Sequence, residues 1–283
     1  MSPQTYGVSD ASWLGQPIDA RPLFGRELAS LLELLRALRP ADWNAAAVPG
    51  WSVKDIVAHI LGDYRGRLGW NTDGFRPAPL PGETLESFVH RVNQEWVDLC
   101  AGHRPAELIE AVEAAGAQVV RRFSAADLDV VGLGVSWAGA NPAPAWLDIA
   151  REFTEYWTHR QQIRHATGHG TDLEPRALAT VLDTFMRALP HTMRDTSAPV
   201  GTRVRMAVTG PAGGTWSVTA VEGRWSLEAA AGGRPTASVT LDAETAWRLC
   251  TRGIEPTTAL ARARIEGRRV LAEAGCRIVS VVH

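Results

Sequence analysis

The period of the apolar residues changes once along this chain, and that change bounds the fold more tightly than any other feature. Up to about residue 195 apolar positions recur at the three-to-four spacing of amphipathic helices; beyond about residue 202 they alternate, as in strands buried on one face. A chain that is helical first and stranded second is expected to be α+β, and 283 residues suffice for two domains of ordinary size. The boundary is expected at the switch, with a helical bundle over residues 15–195 and an α+β domain, helices on one side of an antiparallel sheet, over residues 200–283.

The individual elements follow from the same pattern. Leu28, Leu31, Leu32 and Leu35 share one face of a helix from about Pro22 to Leu38, which Arg39-Pro40 ends. Ser52 and Asp55 form a capping box for a second helix carrying Val57, Ile60, Leu61 and Tyr64, with His59 beside that stripe. A third helix spans Thr84 to Leu99, with Leu85, Phe88, Val92, Trp96 and Leu99 on one side, and a fourth spans Ala106 to Phe123. A loop from Val130 to Pro144 precedes the longest helix, Ala145 to Ala166, with Trp146, Ile149, Phe153 and Trp157 inward and Gly168 as its stop. One more helix, Arg176 to Leu189, closes at Pro190. Four short strands are expected at Arg203–Val208, Thr215–Val221, Arg224–Ala229 and Ala237–Leu241, then a helix from Ala243 to Cys250, a strand at Ala261–Glu266 and a final short helix.

Composition excludes several classes of function. With 45 % apolar and 21 % charged residues and a net charge of -2, the chain reads as an ordinary globular protein without a basic arm for nucleic acid. No stretch approaches the roughly 20 apolar residues that span a bilayer, and Met1 to Trp13 lacks a secretory signal pattern, so a cytoplasmic location is expected. Lys54 is the only lysine among 29 basic residues, a bias that hints at a GC-rich genome. Cys100, Cys250 and Cys276 are odd in number and far apart, and read as reduced, packed thiols. The 11 tryptophans fall mostly at inward positions; Trp137, in the irregular loop, is the one expected to line a pocket.

Chemistry concentrates in Glu155-Tyr156-Trp157-Thr158-His159, which sets a carboxylate and an imidazole at i and i+4 on one helical face. Asp55/His59, Glu86/His90 and His165/His169 share that spacing. Glu86/His90 falls on a polar face and His165/His169 at a helix end, both facing water. His59 and His159 instead border apolar stripes on helices expected to face one another. His59 is thus either a core histidine satisfied by a carbonyl or carboxylate, or part of a two-histidine, one-glutamate set with an open position, the pattern of catalytic zinc. Searches for dinucleotide, phosphate-loop, HExxH and GxSxG patterns return nothing, and Gly210-Pro211-Ala212-Gly213-Gly214 reads as a hairpin turn.

Two segments carry a family likeness. Pro49-Gly50-Trp51-Ser52-Val53-Lys54-Asp55-Ile56-Val57-Ala58-His59 and the run Arg151 to Arg164, with Glu155 four residues before His159, resemble the paired signatures of the mycothiol-dependent maleylpyruvate isomerases. The resemblance implies a DinB-like antiparallel four-helix bundle in which His59, Glu155 and His159 hold a divalent metal, usually zinc, and mycothiol as the thiol cofactor. The segment after residue 202 resembles the sterol-carrier-protein-like domain often fused behind that bundle. The implied activity is an isomerase or S-transferase acting through a metal-bound thiolate on a small electrophile, in a monomer or homodimer. The alternative is a member that has lost its chemistry and binds an apolar small molecule. The family's isomerases also use a C-terminal arginine, for which Arg252, Arg262, Arg264, Arg268 and Arg269 are open candidates.

Overall fold

The computed structural model describes residues 11–70, 75–228 and 233–281. The described residues are a mixture of helix and sheet, and they group into two compact units that interleave along the chain. One takes Arg21–Ala126 and Glu155–Asp172; the other takes the residues up to Ala20, Asp127–Thr154 and those from Leu173 on.

The first unit holds α1 (Phe24–Ala37), the strand pair β1 (Ala46–Val48) and β2 (Trp51–Ser52), α2 (Val53–Arg67), α3 (Leu85–Leu99), α4 (Pro105–Ser124) and the second half of α5 (Ala145–Ala166). Within it α2 lies against both α3 and α4, and α1 against α4. The expected stripes are what is buried: Leu31, Leu32 and Leu35 on α1; Ile56, Val57, Ile60, Leu61 and Tyr64 on α2; Val92 and Trp96 on α3. Leu99, expected on the same face as Trp96, is instead 54 % exposed at the helix end.

The hairpin before α2 was not among the expected elements. Pro49 presets the first corner of its turn and Gly50 takes φ +83°, the left-handed value that the second corner of a type II turn requires. The turn delivers Ser52 to the helix start, where its hydroxyl accepts from the Asp55 amide at 3.3 Å while Asp55 accepts from the Ser52 amide at 2.8 Å. The capping box is therefore present as expected.

The second unit carries the first half of α5, α6 (Pro175–Phe185), α7 (Leu189–Met193), β3 (Arg203–Thr209), β4 (Gly214–Val221), β5 (Arg224–Leu227), β6 (Ala237–Asp242), α8 (Ala243–Cys250), α9 (Pro256–Arg262), β7 (Arg264–Gly267) and α10 (Arg269–Gly275). The sheet order is β5-β4-β3-β6-β7. Three pairings are antiparallel, while β3 and β6 run parallel, a departure from the all-antiparallel sheet expected. The glycine-rich segment from Gly210 is the β3–β4 turn, as read, and Glu222-Gly223 is the two-residue β4–β5 turn. Ala229, the expected end of β5, lies outside the described residues.

Two prolines open helices, one of them against the sequence reading. Pro190 does not end a helix at Leu189: α6 stops at Phe185, a 3-10 turn covers Met186–Ala188, and Pro190 sits in the first turn of α7. Its missing N–H is one that a helix start leaves unbonded anyway. Pro256 likewise opens α9, so the Ala-Arg-Ala-Arg run read as a strand from Ala261 is helical up to Arg262 and pairs with β6 only over Arg264–Gly267.

The grouping of residues 127–154 and 173–195 with the strands has a packing reason. Helix α6 lies against β4 and α8, and α7 against β5 and α10. The α6 side chains Leu178, Val181, Leu182 and Phe185 are each 1 % exposed or less.

Candidate functional site

Helices α2 and α5 bring the three expected residues together in the first unit. The His59 and His159 rings meet edge to face, centroids 4.8 Å apart and planes at 85°. The Glu155 carboxylate stands 3.8 Å from His159 Nε2, with Glu155 and His159 side chains 20 % and 15 % exposed. Trp51, delivered by the Pro49-Gly50 turn, leans on the outer side of His59 at 5.1 Å, and its indole N–H donates to Gln94 Oε1 on α3 at 3.1 Å. The Trp96 indole donates to the Ala58 carbonyl at 2.9 Å, one residue before His59.

The tautomer of His159 follows from its neighbour. Its Nδ1 lies 2.8 Å from Gln162 Oε1. An amide oxygen only accepts, so Nδ1 donates to Gln162 and Nε2 is the ring nitrogen that faces the Glu155 carboxylate. That arrangement is the one ligand histidines show, the ring nitrogen away from the metal donating to an oxygen. Two donors sharing a tetrahedral ion would be about 3.4 Å apart, within a few tenths of the Glu155–His159 distance. The donor chemistry thus fits a divalent ion, but among the described residues no group of three or more His, Cys, Asp or Glu side chains is arranged to hold one, so binding calls for movement of at least one of the three.

The other pairs sort as follows. Asp55 is consumed by the cap of α2, which leaves it out of any ligand set. Glu86 and His90 are both exposed, as expected. His165 Nε2 meets Thr171 Oγ1 at 2.8 Å, and His169 is exposed beside Thr167. Trp137, expected to line a pocket, is 7 % exposed in a 3-10 turn, Ser136–Ala138. The five C-terminal arginines are all exposed, so burial singles none of them out.

Two contacts of this region carry no local sequence signal. The Tyr156 phenol donates to Asp63 Oδ2 at 2.6 Å across a separation of 93 residues. Arg160, next to His159, forks onto both oxygens of Glu27 at 2.5 and 2.9 Å and reaches Asp172 at 2.8 Å. Burial pushes the Glu27 carboxyl above its usual range, and the Arg160 guanidinium pulls against that rise.

All three cysteines are buried and free, as read from the sequence. Burial pushes the thiols of Cys250 and Cys276 up to about 12. Among the described residues no helix is long and apolar enough to cross a membrane.

No curated relative matches the chain. Among solved structures it is similar to the crystal structure of the mycothiol-dependent maleylpyruvate isomerase and to that of a histidine-to-alanine mutant of it. Both are 14 % identical, over 81 % of this chain and 86 % of that one, with TM-scores of 0.47 and 0.48. Residues 24–164, from the start of α1 into the last turn of α5, match the model of the mycothiol maleylpyruvate isomerase N-terminal domain. The match takes in His59, Glu155 and His159, and through it residues 24–164 belong to the mycothiol maleylpyruvate isomerase N-terminal domain family.

Proposed function

We propose that this chain is an enzyme that uses a small thiol, mycothiol or one like it, to isomerise or conjugate a small electrophilic substrate, with a divalent metal, most simply zinc, held by His59, Glu155 and His159. The observation that carries the reading is the approach of His159 Nε2 to the Glu155 carboxylate at 3.8 Å with Gln162 holding the ring's other nitrogen. A divalent ion bound there would lower the pKa of a coordinated thiol from about 8.5, so that thiolate is available at neutral pH.

The chain's own thiols are poor candidates for the nucleophile. Cys250 and Cys276 are fully buried and held protonated to about pH 12, which supports a thiol supplied from outside. Addition of that thiolate to an activated double bond leaves a single bond free to rotate. Expulsion of the same thiolate restores the double bond as the other isomer, with atoms and protons in balance; retention of the thiol with one proton taken up at carbon gives the conjugate. Gln162 holds Nδ1 of His159, and Trp51 packs against the ring of His59.

A second reading is a family member that has lost its metal and binds a small apolar molecule; it is favoured because among the described residues no three-donor group is ready to hold an ion. Elemental analysis of the purified chain after reconstitution with zinc separates the two. The proposal expects about one ion per chain, lost in both His159→Ala and Glu155→Ala, as for three ligands and an open position. A wild-type chain that takes up no metal overturns it and favours the second reading.

A further inference from the structure

Helix α2 carries Asp63 one turn beyond His59, and α5 carries Tyr156 directly after Glu155. Residues four apart share a helical face, so the Asp63–Tyr156 hydrogen bond joins the same two faces that present the histidines. The bond is short, 2.6 Å, as expected when a hydroxyl donates to a carboxylate. The Tyr156 ring is held independently: it is 3 % exposed and meets Tyr64 edge on at 4.8 Å and Phe24 at 5.9 Å. Tyr64 is the residue after Asp63, so aromatic contact and hydrogen bond act at one level of α2. Slip of α5 along α2 by even part of a turn would break the bond and carry His159 away from His59.

We propose that Asp63 and Tyr156 are a positioning pair that sets the separation of His59 and His159. The inference rests on reading those histidines as the functional pair, but not on a metal being bound. Without the phenol hydroxyl the rings of Tyr156 and Tyr64 still pack, and what is lost is the register between the two helices at the height of the site.

The test uses the full chain with Tyr156→Phe, which removes only the hydroxyl, and Asp63→Asn, which keeps a carbonyl oxygen able to accept from the phenol. Two readouts are taken: zinc affinity by competition with a chromophoric chelator, and the ring resonances of the histidines by NMR in metal-free protein. Tyr156→Phe is expected to weaken zinc binding by about 10- to 100-fold, the range for residues that orient ligands. It should shift the His59 and His159 resonances while those of His103 and His165 stay in place, and Asp63→Asn should recover most of both. A folded Tyr156→Phe chain with unmoved His59 and His159 resonances overturns the proposal. If wild-type chain binds no zinc, the metal reading fails separately, and the resonances alone decide the positioning role. Should Tyr156→Phe not fold, Asp63→Ala removes the acceptor from the α2 side and is held to the same outcomes.

Discussion

Arg160 shows how much one side chain can hold in this unit. Its guanidinium and the Glu27 carboxylate are 4 % and 5 % exposed, with Asp172 completing the cluster. Desolvating two charges costs nearly as much as their attraction returns, so the pair adds little net stability while intact. Removing one partner is another matter, because the remaining charge is then buried alone. Arg160→Met is therefore expected to destabilise the fold by about 3–5 kcal/mol, read as a fall in the urea midpoint. Glu27→Gln together with Arg160→Met should recover part of that loss, since the one carboxylate then left in the cluster, Asp172, is 33 % exposed. The cluster was invisible beforehand for a physical reason: Glu27 and Arg160 lie 133 residues apart, and nothing in the local pattern of either helix marks them as partners. His59, Glu155 and His159 stood out because helix spacing and a short motif are local properties.

Helix α2 is where local chemistry and site geometry meet most directly. The turn at Gly50 and the Ser52–Asp55 cap fix where the helix begins, and His59 lies seven residues beyond the cap. Ser52→Ala should lower stability by about 1 kcal/mol through loss of the capping acceptor, measured by thermal unfolding, with the family segment otherwise intact. Capping signals of this kind made the helix starts legible. Element ends were less so where proline was taken as a stop: Pro190 instead opens a helix, as Pro256 also does, because a first-turn residue needs no amide hydrogen. The parallel β3–β6 pairing was also hidden, since alternation reports which face of a strand is buried and says nothing of the neighbour's direction.

For the molecule as a whole, the two compact units do not correspond to a single cut in the chain. Helices α6 and α7 precede the change of apolar period yet pack on the sheet and its helices. Period reveals the type of an element, while burial against a distant partner decides its company. A chain truncated at residue 195 would expose the α6 face of Leu178, Val181, Leu182 and Phe185, now buried. Such a fragment is expected to keep helical circular dichroism but to bind a hydrophobic dye and unfold without a sharp transition; a cooperative transition matching that of the whole chain would argue for a self-sufficient N-terminal portion. The buried cysteines bear on the molecule's durability. On the function proposed, electrophiles brought to a thiol would also threaten the protein's own cysteines. With Cys250 and Cys276 out of reach of solvent and protonated to about pH 12, those thiols offer such compounds no competing target.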